Sequence, residues 1–273
     1  MITIVDLTEI ELFIFDIDGT ILLEDKLLPY AEETIQFLNR LNKKIYFLTN
    51  SSTRTNEEVA EHLNFLSIPA ESSDIITPVS LISSYFRTYS EVPRVMVIAG
   101  DSVKSELAKA KIILTNNPDE ITHVLVGLDK EFSYKKLNSA AEAVRKGAQL
   151  IGLNPDPFCP MKNGVIPDAG TLIKAIESAS NIKAKNIIGK PSKFPADYIF
   201  SKTDLAGEKC LMIGDRLDTD ILFGSNAGMN TALVLTGVTS AEEAENTNIT
   251  PHRIYEDLSQ LMKELSLNTK SIT

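Results

Sequence analysis

The apolar run Leu12-Phe13-Ile14-Phe15 stops abruptly at Asp16-Ile17-Asp18-Gly19-Thr20, which places two carboxylates one residue apart. Such a run, bounded by a glycine turn, reads as a buried parallel strand, and the carboxyl ends of these strands are where open α/β sheets place ligands. Gly19 lets the chain curl at once, so both acids can approach one metal-bound group. Three further polar clusters follow apolar runs in the same way: Thr49-Asn50-Ser51-Ser52, Gly189-Lys190-Pro191-Ser192, and Gly214-Asp215-Arg216 with Asp220 close behind. Carboxylates that converge repel one another unless a cation neutralises them, and hard oxygen ligands favour Mg²⁺. Hydroxyls and free N–H groups at a strand end form an anion site suited to phosphate, where Thr49 can donate a hydrogen bond and Lys190 can offset charge. The combination fits phosphoryl chemistry, with one aspartate as nucleophile through an aspartyl-phosphate and the second shuttling a proton.

The elements that must carry these residues alternate between strand and helix, the pattern of a parallel α/β fold. Strands are predicted at Leu12 to Phe15, Lys44 to Leu48, Arg94 to Ile98, His123 to Val126, Gln149 to Gly152, Lys209 to Ile213 and Thr231 to Leu235. Helices are predicted after Pro29, near Asn56, and over Val103 to Ala110, Tyr134 to Lys146 and Gly170 to Ser180. Ile21 to Lys26 is expected to form a small flap. The expected architecture is a doubly wound parallel-sheet core formed by residues 1–77 and 184–273, with an α/β unit inserted at 78–183.

Composition narrows the partners. At 273 residues with 43% hydrophobic content the chain can build two packed cores. A net charge of −10 and a pI near 4.9 argue against nucleic acid or an anionic membrane and favour a small, locally neutralised ligand. Neither a secretory leader pattern nor an apolar span stands out, so a cytoplasmic protein is expected. Cys159 and Cys210 are too few and too far apart for a disulfide framework or a zinc site. No feature of the sequence fixes the oligomeric state.

In their order, Asp16-Ile17-Asp18-Gly19-Thr20, Leu48-Thr49-Asn50, Gly189-Lys190-Pro191 and Gly214-Asp215-Arg216-Leu217-Asp218-Thr219-Asp220 resemble the four motifs of the haloacid dehalogenase superfamily. The large insertion, together with Asn154-Pro155-Asp156, Pro167-Asp168-Ala169-Gly170 and Leu235-Thr236-Gly237-Val238, resembles the NagD and 4-nitrophenylphosphatase branch. The resemblance implies Asp16 as nucleophile and Asp18 as general acid, then base. It implies Mg²⁺ held by Asp16, the Asp18 backbone carbonyl and Asp215, with Asp220 orienting metal-bound water or binding directly. Thr49 and the backbone of Asn50, with Ser51, would hold the phosphoryl group, Lys190 would stabilise its charge, and the insertion would serve as a cap. Two departures stand out: Gly152-Leu153 precede Asn154 where the branch often has Ala-Thr, and Ser51 stands where a second Asn is common.

Taken singly, these residues have plainer explanations. Asp-x-Asp could be turn chemistry, Thr49 a helix cap, Lys190 a solvated lysine, and Asp215 and Asp220 caps of the helix that follows; the ordered set of four reverses that balance. Asn154 and Asp156 stay open between a structural turn and recognition of the leaving group. His62, His123 and His252 lie outside the motifs and are expected to be structural or exposed. The leading expectation is a Mg²⁺-dependent phosphatase of small phosphomonoesters such as sugar phosphates, nucleoside monophosphates or 4-nitrophenyl phosphate. The alternatives are a phosphometabolite-binding or regulatory module without turnover and a dinucleotide-dependent oxidoreductase. The latter is disfavoured because the Asp motif occupies the place of a glycine-rich turn.

Overall fold

In the computed structural model, residues 6–161 and 164–270 are described, and the chain divides into two compact units. The first comprises the chain up to Thr49, Glu57–Ile76, and everything from Ala196 on; the second comprises Asn50–Asn56 and Thr77–Pro195. Each has its own sheet and its own apolar core.

The first unit is built on a six-stranded sheet ordered Arg253–Tyr255, Asn230–Val234, Cys210–Gly214, Leu12–Phe15, Lys44–Leu48, Ile75–Ile76, parallel throughout. Relative to the chain this is the doubly wound order, with the direction of winding reversing beside Leu12–Phe15. Leu12–Phe15 is buried at every position, as a strand covered on both faces must be. Its register against Cys210–Gly214 pairs Phe15 with Ile213, so the residues following both strands emerge side by side. The helix Ala31–Arg40 buries Ala31, Thr34, Ile35 and Leu38, and Ile35 and Leu38 join Phe13, Phe15 and Phe47 in the core. The predicted flap is a short antiparallel hairpin in which Leu22 pairs with Leu27 and Leu23 with Lys26.

The second unit has a five-stranded parallel sheet ordered Asn186–Ile187, Gln149–Gly152, His123–Val126, Arg94–Ile98, Ile113–Leu114, plus a hairpin of Phe158–Met161 with Gly164–Pro167. Its core gathers Ile98, Val124, Val126, Leu150, Ile173 and Ile176. Thr77 starts the helix Pro78–Phe86 by accepting a hydrogen bond from Ser80 N–H, with Pro78 in the first turn where its missing N–H costs nothing. Among the described residues no helix is long and apolar enough to cross a membrane.

His123 is structural. It is 5% exposed, its Nδ1 lies 2.7 Å from Thr122 Oγ1, and its ring meets Phe86 and Tyr89 edge-on. Its Nε2 has no hydrogen-bond partner among the described residues. Burial, assisted by the Lys185 charge, lowers its pKa from 6.5 to about 4. The folded state therefore binds this proton less readily than the unfolded chain, so the contribution is intact above pH 6.5 and is lost as pH falls towards 4. In thermal melts across that range, His123→Phe is expected to lose less stability than the native protein on acidification, the difference growing between pH 6.5 and about 4 and holding constant once pH is below both values.

Candidate active site

In the first unit the sheet brings acids together. Asp16 follows Leu12–Phe15 and its N–H donates to Ile213 O at 2.8 Å, continuing the ladder that sets it beside Asp215. Asp220 arrives on a single π-helical turn, Leu217–Ile221, where its N–H donates to Arg216 O and its Oδ2 accepts from Arg216 N at 3.1 Å. Asp16, Asp215 and Asp220 are all buried, and one carboxylate oxygen from each lies within 4.8 Å of the others. A trio of this kind is a strong local concentration of negative charge, and an all-oxygen donor set suits a hard divalent cation. These residues could hold Mg²⁺.

Asp18 is exposed and is not part of that trio. Beyond Asp16 the Ile17 carbonyl accepts from the N–H groups of Thr20, Ile21 and Leu22, curling the chain into a turn that Gly19 completes at φ +91°. Thr236 Oγ1 donates to Gly19 O at 2.7 Å, tying this turn to the segment after Asn230–Val234. That segment also presents Val238 N–H to Asp215 Oδ2 at 2.6 Å. A Cβ on Gly19 or on Gly237 would run into the Asp215 carboxyl, so the acid is gripped between two stretches of bare backbone. Thr49 sits at the end of Lys44–Leu48, 2% exposed, with its N–H on Ile76 O.

The second unit holds the remaining candidates: Asn50, Ser51, Asn154, Asp156 and Lys190. Lys190, 1% exposed, occupies the turn after Asn186–Ile187. Asn50 Oδ1 accepts from Lys190 N at 2.9 Å, and Asn50 Nδ2 donates both to Lys190 O and to Asp156 Oδ2, each at 3.1 Å. Asn154 Nδ2 donates to Asn50 O at 2.8 Å and its Oδ1 accepts from Asp156 N at 3.0 Å. Ser51 Oγ lies 3.1 Å from Thr53 Oγ1, while its neighbour Ser52 Oγ accepts from Leu128 N at 3.0 Å.

Two contributors carried no role in the sequence reading. The Thr236-Gly237-Val238 segment cradles Asp215, and its signal was the small and polar residues following an apolar strand. Asp168 caps the helix Ala169–Ser180 by accepting from Ala169 N–H. Its carboxyl is pushed up to about 6 chiefly by burial, with the Ala169 N–H opposing, the Asp156 charge adding to the rise, and the Asn154 amide opposing it.

A doubly wound parallel sheet that gathers buried carboxylates at its switch point is the build of an α/β enzyme. Residues 13–113 match the family model of haloacid dehalogenase-like hydrolases, and residues 187–261 match a second model described as HAD-hydrolase-like. The acid sugar phosphatase of Staphylococcus aureus is 30% identical over 253 residues, covering 93% of this chain and 97% of its own. A 4-nitrophenylphosphatase from Thermotoga maritima superposes with a TM-score of 0.89 at 32% identity, over 96% of this chain and 99% of its own. NagD of E. coli K-12 superposes with a TM-score of 0.84 at 28% identity, over 92% and 98% of the two chains. The chain thus belongs to the haloacid dehalogenase-like hydrolases, on the branch of NagD and the 4-nitrophenylphosphatases, and is a phosphatase.

Gly237→Ala is expected to displace the Asp215 carboxyl while leaving the sheet folded. Turnover should fall by on the order of 10²-fold, the cost of misplacing a catalytic group by about 1 Å, with an unchanged far-ultraviolet circular dichroism spectrum.

Proposed function

We propose that the protein is a Mg²⁺-dependent phosphatase of small phosphomonoesters, sugar phosphates foremost, acting through an aspartyl-phosphate on Asp16. The observation that carries this reading is the buried trio Asp16, Asp215 and Asp220, whose converging carboxylate oxygens suit a hard divalent cation. The similarity to an acid sugar phosphatase over 97% of that protein's length supports the substrate class. Nucleoside monophosphates and 4-nitrophenyl phosphate are the further candidates. The acidic composition supports a small-metabolite partner rather than nucleic acid or membrane.

In this mechanism Asp16 and Asp215 would hold the cation with the backbone carbonyl of Asp18, and Asp220 would support it from beside them. When bound, Mg²⁺ neutralises their charge and that of the phosphoryl oxygens. An Asp16 carboxylate oxygen attacks phosphorus, forming the acyl-phosphate bond as the ester P–O bond breaks. Asp18 gives its proton to the departing alkoxide, a role that suits its exposed position. Asp18, now ionised, takes a proton from water as that water attacks phosphorus, which releases inorganic phosphate and frees Asp16. Thr49 donates to a phosphoryl oxygen, as do the backbone of Asn50 and Ser51. Lys190 supplies positive charge as negative charge spreads over the transferring group.

Phosphate release from sugar phosphates, nucleotides and 4-nitrophenyl phosphate is expected to require Mg²⁺, to stop with EDTA, and to be abolished by Asp16→Asn. Asp18→Asn is expected to retain phosphate binding while losing about 10²–10⁴ in rate. Release that persists in both EDTA and Asp16→Asn would remove the mechanism.

A further inference from the structure

Asn50 and Lys190 are 140 residues apart in the chain, yet the Asn50 carboxamide pairs with both backbone polar groups of Lys190, as a neighbouring strand would. The orientation of that amide is set by chemistry. Its oxygen faces the Lys190 N–H and its nitrogen faces the Lys190 carbonyl, so the flipped arrangement would oppose donor to donor and acceptor to acceptor. The second amide proton goes to Asp156 Oδ2, and the Asn50 carbonyl is held by Asn154 Nδ2. The bridge is tight enough to exclude a side chain at position 189, where a Cβ would lie 2.5 Å from Asn50 Oδ1 and 2.7 Å from Leu153 O.

Asn154 and Asp156 are themselves anchored. Asn154 is fully buried and both polar atoms of its amide are engaged within the unit. Asp156 O accepts from Gly170 N at 2.9 Å, while Pro157 O accepts from Asp168 N at 3.1 Å and from Thr171 Oγ1 at 2.6 Å. The loop is thus fastened to the first turn of Ala169–Ser180. On its other side, Gly189 N–H donates to Leu153 O and Ile188 N–H to Gly152 O, both at 2.8 Å.

We propose that Asn154 and Asp156 are positioning residues: they fix the Asn50 carboxamide, which holds the Lys190 backbone, and neither contacts the substrate's leaving group. The inference rests on the reading of Lys190 as the charge-stabilising group. A lysine side chain is long and rotatable, so its ammonium acts from a defined place only if the backbone that carries it is fixed. Helix, loop and amide together supply that fixity.

The test measures kcat and KM for 4-nitrophenyl phosphate and glucose 6-phosphate in Asp156→Ala, Lys190→Ala, the double variant and Asp156→Asn. Asp156→Ala is expected to lower kcat by the same factor for both substrates, up to about 10²-fold, and to add no loss in the Lys190→Ala background. Asp156→Asn keeps an oxygen that can accept from Asn50 and should recover most of the rate. Asn154→Asp, which conserves volume while removing the donor to Asn50 O, is expected to reproduce the Asp156→Ala loss and carries the test if the alanine variant does not fold. A loss that differs between the two substrates, or that multiplies fully with Lys190→Ala, overturns the inference. So does Asp156→Asn as slow as Asp156→Ala, or Asn154→Asp at native kcat. Native turnover in Lys190→Ala instead overturns the role given to the lysine, and the inference with it.

Discussion

Much of the first unit exists to hold Asp16, Asp215 and Asp220 with carboxylate oxygens within 4.8 Å of one another and out of water. Like charges so close oppose folding unless backbone donors and a cation offset them, and the surroundings are arranged accordingly. The doubly wound strand order makes Leu12–Phe15 and Cys210–Gly214 neighbours, so two acids emerge together although about two hundred residues separate them. One π-helical turn adds the third, and such turns, though rare, are frequently found at functional sites. The segment after Asn230–Val234 then closes on Asp215 with an N–H group and a residue that lacks Cβ.

The second unit meets a different demand with the same materials. Lys190 is buried, and a buried charge is costly unless it is paired and hydrogen-bonded. One asparagine joins the Lys190 backbone to Asp156 through three side-chain hydrogen bonds, and the Asp156 loop is held in turn by a helix N-terminus. Burial also fixes groups unconnected with the chemistry. The Cys210 thiol, on a central strand, is pushed up to about 12, which keeps it un-ionised and unreactive.

The amino-acid sequence alone determined the parallel α/β class, the family, and the bounds of the strongly patterned elements. Lys44–Leu48, Arg94–Ile98, His123–Val126 and Gln149–Gly152 form where the apolar runs put them, because a strand covered on both faces is near-continuously apolar, and here each run follows a single polar residue that opens the strand. The pairs Ile75–Ile76 and Ile113–Leu114 and the strand Arg253–Tyr255 could not be read in this way. Elements of two or three residues carry no periodicity and exist only because a neighbouring strand offers its ladder. The residue types able to do chemistry were equally plain, since acids, a threonine and a lysine at strand ends are local facts. Which of them meet was not local. That Asp220 joins Asp16 and Asp215 while Asp18 stays exposed, and that Asn154 and Asp156 turn towards Asn50, was decided only in the tertiary structure, because Asp16 and Asp215 meet through the pairing of strands distant in the chain and the Asn50 hydrogen bonds to Asn154 and Asp156 span more than a hundred residues.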